Sequence, residues 1–425
     1  MTERLYYHDS FLYDFNAKVV DTTETPRPAL VLDRTAFYPT SGGQIHDTGT
    51  IHVGADALVR PASEASVPSA QELRITEVAD TEDGKVVHYF EAERDFDKAT
   101  LKHGTQIRGQ IDATRRRDHM QQHSGQHVLS AAFIRLFNMP TVSFHMADDY
   151  CSIDLDTPTL TKDQIESAER LANEIILENR PVNVSYVTRE EAGKLGLRKL
   201  PPTERDELRL VDIQDFDLTA CGGTHVSQTG QIASVLLRKT EKVRQGWRVE
   251  FVAGQRSVAT ARRDFTTLTE TAALFSANIY DVPTQARKAL DEIKSLRKQC
   301  EQSLEELAGA QAAAMLAETP ETSGRKLIVR TFADRDLNFL KLLAQKLTRL
   351  SPNAIALLAA TTPQSSLIFA QSPGQPYDMG TLLKEVVAKL GGRGGGSKDM
   401  AQGGVPNTEN LAEALTQTAA KLEAK

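Results

Sequence analysis

Residues 123–127 read His-Ser-Gly-Gln-His, two imidazoles four positions apart. On a helix, positions i and i+4 stand one above the other, so both rings can reach one ion about 2.0–2.1 Å away. The competing reading is a pair of core or surface histidines satisfied by hydrogen bonds. A second stretch weighs against it. Residues 221–225 read Cys-Gly-Gly-Thr-His, a thiolate and an imidazole flanking glycines that remove steric limits on how the two converge. His123, His127, Cys221 and His225 then offer three imidazoles and one thiolate, a tetrahedral set soft enough to favour Zn2+ over Mg2+ or Ca2+. About one zinc per chain is expected. A metalloprotease would need HExxH with the Glu as general base, and the residue after His123 is Ser124, which disfavours protease chemistry.

The elements that must carry these groups are readable from periodicity. Met120, His123, His127, Ala131 and Ile134 recur at steps of three or four, which predicts a helix whose histidines share its apolar stripe. Thr161 with Gln164 forms a capping-box pattern that opens a second helix ending before Pro181. VNVSYV reads as a strand, and SVLLRKT with WRVEFVAG as a hairpin around KVRQG. The chain as a whole reads as a multidomain α+β protein. Residues 1–100 form a small barrel-like β domain, with a Pro/Ser/Ala-rich loop at 60–72 that reads as mobile. Residues 101–254 mix helices and strands around the metal set. Residues 255–320 are a helical, coiled-coil-like linker. There Ile293, Leu296, Cys300, Leu307, Ala310 and Ala314 approximate an a/d seam, with Ser303 as a gap, which could pack within one chain or between two. Residues 321–425 alternate strand-like LIVRTF and AIALLAA with helix-like LNFLKLLAQKL and TLLKEVVAKL, a small α/β domain. Near its end it carries GGRGGGSKDMAQGG, which reads as a phosphate-binding nest of backbone N–H groups or as a flexible loop.

Composition sets the outer bounds. At 425 residues, 40% hydrophobic and 25% charged, the sequence is that of a globular protein with several cores. It has no apolar run of about 18 or more residues and no signal-like start, so a cytoplasmic protein without membrane spans is expected. Three cysteines are too few and too scattered for a disulfide scaffold. A net charge of −7 gives no global attraction to nucleic acid, so any such partner must be held by local patches. Arg115, Arg116 and Arg117 form one candidate; Arg238, Lys239, Lys242, Arg244, Arg248, Arg256, Arg262 and Arg263 form another, opposed there by Glu241 and Glu250.

HSGQH paired with CGGTH, preceded by TAFYPTSGGQIHDTG at 35–49 and followed by GWRVEFVAG at 246–254, resembles the editing module of alanyl-tRNA synthetase and its free-standing relatives, the alanyl-tRNA editing proteins of the AlaX family. GGRGGGSKDMAQGG is similar to the glycine-rich signature of the DHH-associated C-terminal domain of that synthetase and of long AlaX proteins. The resemblance implies an editing domain that contains the zinc and hydrolysis, in trans, of the ester joining a wrong amino acid to tRNA(Ala). Ser-tRNA(Ala) would be the main substrate and Gly-tRNA(Ala) a second. No aminoacylation domain precedes the barrel in this sequence, so editing without charging is expected. The chemistry is coherent, because an apolar pocket rejects an added hydroxyl only about a hundredfold, whereas a site that bonds the hydroxyl discriminates strongly. By resemblance, Thr35 and Gln44 would bond that hydroxyl, and Gly42 and Gly43 would let the backbone approach the aminoacyl adenosine. The zinc would hold the aminoacyl end or position water, with a tRNA hydroxyl assisting. The basic patches would contact the acceptor stem, and the C-terminal domain would touch tRNA, pair two copies, or both. A zinc-stabilised RNA-binding protein without catalysis is the alternative of different class. A DHH-type phosphoesterase is a poorer fit, because Arg117-Asp118-His119-Met120 does not supply an Asp-His-His motif.

Overall fold

The computed structural model describes residues 1–24, 27–53, 71–92, 100–198, 206–362, 365–406 and 410–424. It divides into two compact units, Met1–Leu268 and Thr269–Lys425. Most of the 60–72 loop lies outside the described residues.

The first unit opens with strands β1 (Glu3–Arg4), β2 (Asp14–Thr23), β3 (Ala29–Leu32), β4 (Arg34–Thr35), β5 (Gly49–Val53), β6 (Gln71–Asp80), β7 (Val86–Ala92) and β8 (Gln106–Ile111). Six of them close a barrel in the order β2-β3-β7-β6-β5-β8, while β1 and β4 pair in parallel. Alternation drives the closure: Phe15, Ala17 and Val19 on β2 and Ile107 and Ile111 on β8 are buried between exposed or half-buried neighbours. Closing the sheet leaves no unpaired edge. The barrel therefore takes its sixth strand from beyond residue 100.

Helix α1 (Ala113–Phe137) follows at once. Asp112 caps it, accepting from Thr114 N at 2.9 Å and Arg115 N at 3.0 Å, and Asn138 ends it in the left-handed conformation. His119 to Phe133 are all buried, so α1 is a central helix covered on every side rather than one with a single apolar stripe. A four-stranded sheet in the order β14-β15-β10-β9 covers it, built from β9 (Thr141–Met146), β10 (Cys151–Leu155), β14 (Val235–Val243) and β15 (Gly246–Ala253). The expected hairpin is present, with Val243 opposite Gly246. Helix α2 (Lys162–Leu177) starts at the expected capping box, with both the Thr161 and Gln164 side-chain bonds formed. Strands β11 (Val182–Thr188), β12 (Glu207–Ile213) and β13 (Asp217–Ala220) make an antiparallel sheet that delivers Cys221. Short α3 (Arg189–Ala192) follows β11, and α4 (Gln255–Leu274) runs through the division between the units.

The second unit holds α5 (Val282–Glu318), β16 (Lys326–Phe332), α6 (Leu337–Leu350), β17 (Ala354–Ala360), β18 (Ser366–Gln371), α7 (Met379–Lys389), β19 (Arg393–Gly396), β20 (Met400–Gly404) and α8 (Leu411–Glu423). Its sheet runs β16-β17-β18-β20-β19. One expectation is narrowed and one corrected. The residues of α5 buried at its C-terminal end are Ala308, Ala312, Met315 and Leu316, in one core cluster with α6, whereas Ile293, Leu296 and Leu307 of the expected seam are exposed by 40–55%. Within one chain, α5 therefore packs through these residues and not through the expected seam. GGRGGGSKDMAQGG is neither nest nor flexible loop but the β19–β20 hairpin. Its glycines let α7 lie close: a Cβ on Gly403 would stand 2.8 Å from Val387 Cγ1. Among the described residues no helix is long and apolar enough to cross a membrane.

Candidate metal centre and substrate cavity

His123 and His127 project from α1, and the turn after β13 brings Cys221 and His225 to them. One donor atom from each of the four lies within 4.8 Å of the others. Cys221 Sγ is 3.4 Å from His123 Nε2 and 3.3 Å from His225 Nε2. The glycine turn is required by this approach, since a Cβ on Gly223 would fall 2.1 Å from His123 Cε1. The three imidazoles are buried and Cys221 is half-buried, which makes the charge balance among them local. Burial pushes the Cys221 thiol up, but His123 and His225 facing its sulfur hold it well below its ordinary value. Burial, with His123 nearby, holds His225 down at about 3 against the pull of Cys221. The three imidazoles are therefore arranged about a thiolate.

Each ring is steered by its remote nitrogen. His123 Nδ1 donates to Gln44 Oε1 at 2.7 Å, and the Gln44 amide is itself fixed by donating to Thr224 Oγ1 at 2.8 Å and accepting from Thr224 N at 3.2 Å. His127 Nδ1 lies 3.4 Å from Asp217 Oδ2. Burial pulls His127 down, and the Asp217 carboxylate and Cys221 more than restore it, so its value ends raised. His225 Nδ1 lies 3.2 Å from Ser124 Oγ. The Gln44 oxygen fixes the His123 tautomer and leaves its Nε2 free for an ion, and the other two partners sit on the side of each ring away from the cluster.

A cavity of about 500 Å3 opens against the cluster, with His123, His127 and Cys221 in its wall. Its other walls are mixed: Ile134, Val142 and Phe144 are apolar, while Gln126, Thr141, Ser143 and Thr219 bring amide and hydroxyl groups. Phe144 stacks on His123 at 5.4 Å between centroids. Arg198 is the cation of the wall, its Nε 3.0 Å from Asp217 Oδ1.

The four residues expected on the substrate fare differently. Gly42 lines the cavity. Gly43 backs it, packed against Phe144. Gln44 is fully buried and holds His123, and Thr35 is fully buried with its hydroxyl 2.8 Å from His88 Nε2 and accepting from Phe37 N at 3.1 Å. Neither Thr35 nor Gln44 is in the cavity wall. Arg116, read as part of a basic patch, has no exposed surface; it chelates Asp47, whose carboxylate also accepts from Tyr38 N at 2.6 Å. It locks α1 to the segment that carries Gln44. Arg238, Arg248 and Arg256 are likewise paired with Asp264, Asp154 and Asp118, whereas Arg117, Lys242 and Arg244 are exposed.

Asp217 and Arg198 were not singled out from sequence. Asp217 left a faint signal, lying four residues before Cys221.

Comparison with known proteins decides the family. The chain is 30% identical to the alanyl-tRNA editing protein AlaX-L of Pyrococcus horikoshii over 408 residues, 95% of each chain. It belongs to the alanyl-tRNA editing proteins. Residues 208–249 of this editing-family member, which include Asp217, Cys221 and His225, match the threonyl and alanyl tRNA synthetase second additional domain; residues 3–115 match the class II (A) tRNA synthetases and 324–424 the DHHA1 domain. The alanine–tRNA ligases of Pyrococcus furiosus and Archaeoglobus fulgidus are 30% and 29% identical to it, over 99% and 97% of this chain. The chain spans under half their length, 44% and 43%.

Proposed function

We propose that this protein hydrolyses the ester of mischarged tRNA(Ala), with Ser-tRNA(Ala) as its main substrate and Gly-tRNA(Ala) as a second. One observation carries the reading: in a chain of the alanyl-tRNA editing family, three members of a cluster of three imidazoles and a cysteine, His123, His127 and Cys221, form one wall of a cavity whose other walls mix apolar surface with hydroxyl and amide groups. The donor set fits zinc. Bonds of about 2.0–2.3 Å in a tetrahedron place sulfur and nitrogen roughly 3.5 Å apart, and the observed separations are 3.3 and 3.4 Å.

His123, His127, Cys221 and His225 would hold one zinc, which when bound supplies Lewis acidity toward the ester carbonyl or toward water. Gln44 holds His123 in the tautomer that leaves Nε2 free, while Ser124 and Asp217 lie against the Nδ1 sides of His225 and His127. Ile134, Val142 and Phe144 exclude water from one side of the aminoacyl group. Gln126, Thr141, Ser143 and Thr219 make that wall polar, and because Gln126 and Thr141 already donate to Ser130 Oγ and Ser143 to Asp154, a serine hydroxyl would meet their remaining acceptor atoms, which alanine would not engage. The reading gives Thr35 a structural task, and Gly42 and Gly43 the close backbone approach. The exposed Arg117, Lys242 and Arg244 suit phosphate contacts with the acceptor stem.

The test is deacylation of purified Ser-tRNA(Ala) by zinc-loaded protein, with Ala-tRNA(Ala) as control. Serine release many-fold faster than alanine release is expected. A folded, metal-loaded protein that releases neither would overturn the hydrolase reading and leave RNA binding alone.

A further inference from the structure

A second cavity, of about 590 Å3, reaches the metal centre from the other strand connection: Ala220 and Cys221 line both cavities, and Gly222 lines this one. Its wall is of different chemistry. Tyr7, His8 and Tyr186 present aromatic surface, and Arg4 and Arg209 present guanidinium groups. His8 and Tyr186 are exposed and lie ring to ring, centroids 5.6 Å apart and tilted by 37°. The rest of the wall is rigid. Tyr186 Oη donates to Tyr7 O at 3.0 Å, and Arg209 Nε donates to the same carbonyl at 3.0 Å. Arg209 Nη1 then donates to Cys221 O at 2.7 Å and Gly223 O at 3.1 Å. Arg4 lies 5.6 Å from the Tyr7 ring centroid and Arg209 5.7 Å, so cations brace that ring. One buried arginine thus ties the aromatic wall to the turn that carries the thiolate.

We infer that this cavity seats the terminal adenosine of the tRNA 3′ end, its base stacked on the open faces of Tyr186 and His8. The inference rests on the deacylase reading and deepens it. An aminoacyl ester lies between an amino acid and a nucleoside, and here two cavities of unlike chemistry meet at Cys221. The one with hydroxyl groups and apolar surface suits a small amino acid. The one with aromatic faces and guanidinium groups suits a nucleoside. Unpaired RNA bases are held by aromatic and guanidinium planes, a mode that uses the π-face every base has. His8 and Tyr186 already touch at a tilt of 37°, so the base packs against the pair rather than entering between them.

The experiment uses full-length protein and tRNA(Ala) with 2-aminopurine as its terminal base, whose emission falls on stacking. Saturating wild-type protein should quench the emission several-fold. Tyr186→Phe keeps the ring and should keep the quench. Tyr186→Ala and, independently, His8→Ala should lose most of it and weaken binding roughly 5- to 150-fold, the range for one stacked base. His8→Ala removes only an exposed ring, so it remains informative if Tyr186→Ala folds poorly. Emission unchanged by wild-type protein, or quenched equally by both alanine variants, overturns the seat. Hydrolysis is read separately. Quenching that needs these rings, without hydrolysis, supports the seat and removes the deacylase reading; hydrolysis without quenching does the reverse.

Discussion

The hydroxyl of Thr35 has two obligations inside the protein, to His88 Nε2 and to Phe37 N, and none is left over for a ligand. His88 is locked in turn by Leu30 O at 3.2 Å. Thr35→Val keeps the shape and strands both partners in a dry interior. The expected outcome is a loss of roughly 2 kcal/mol of stability or more, from two unpaired buried groups, with the serine-to-alanine ratio of deacylation within about twofold of wild type. Denaturant melts and paired kinetics check it; a collapsed ratio in a stable variant would put Thr35 back on the substrate. Gln44, nine residues on, acts one step away from the ion by fixing His123.

Asp217 opens strand β13 and Cys221 follows its last residue directly, so one short stretch supplies both a ligand and a carboxylate beside another ligand, His127. Helix α1 supplies His123 and His127, and the buried Arg116–Asp47 pair holds it against the segment that steers His123. Removing one partner of such a pair typically costs 3–5 kcal/mol, because the other charge is left buried alone. A gentler probe is Asp217→Asn, which keeps the volume and removes the charge behind His127. Zinc affinity should drop by about 10- to 100-fold, the usual effect of losing an outer partner. Competition against a chromophoric chelator measures it, and an unchanged affinity would mean that His127 is oriented by its packing alone.

At the scale of the whole molecule, buried neutral histidines couple folding to pH. Burial holds His88, inside the barrel, down at about 4. Burial together with Arg115, Arg256 and Arg116 holds His119 down at about 2, and both of its ring nitrogens lack a partner among the described residues. Ordinary histidine takes its proton near 6.5, so the unfolded chain protonates first as pH falls. Stability that is intact above about pH 6.5 is therefore lost through the window from 6.5 to 4 for His88, and onward toward 2 for His119, at about 1 kcal/mol per pH unit for each. Comparing wild type with His88→Gln at pH 7 and pH 5 isolates one term and cancels the acid release of metal. The difference between the two pH values should shrink by about 2 kcal/mol in the variant; an equal difference would mean that His88 carries its proton in the fold.

What the sequence determined by itself is what lies within one element or one turn. The four-position spacing of His123 and His127, the Cys221–His225 turn, the Thr161–Gln164 capping box and the β14–β15 hairpin each depend on neighbours in the chain, and each is present as expected. The tertiary structure decided which polar atom faces which across long separations. Gln44 meets His123 over 79 residues and Thr224 over 180, and no local period records such a meeting. The same holds for the barrel, closed by β8 from beyond residue 100, and for α5, whose heptad pattern predicts one seam while its packing against α6 buries another. Periodicity tells which faces of an element are apolar. Only the packing of one element on another selects the face that is covered and the side chain that is left to do chemistry.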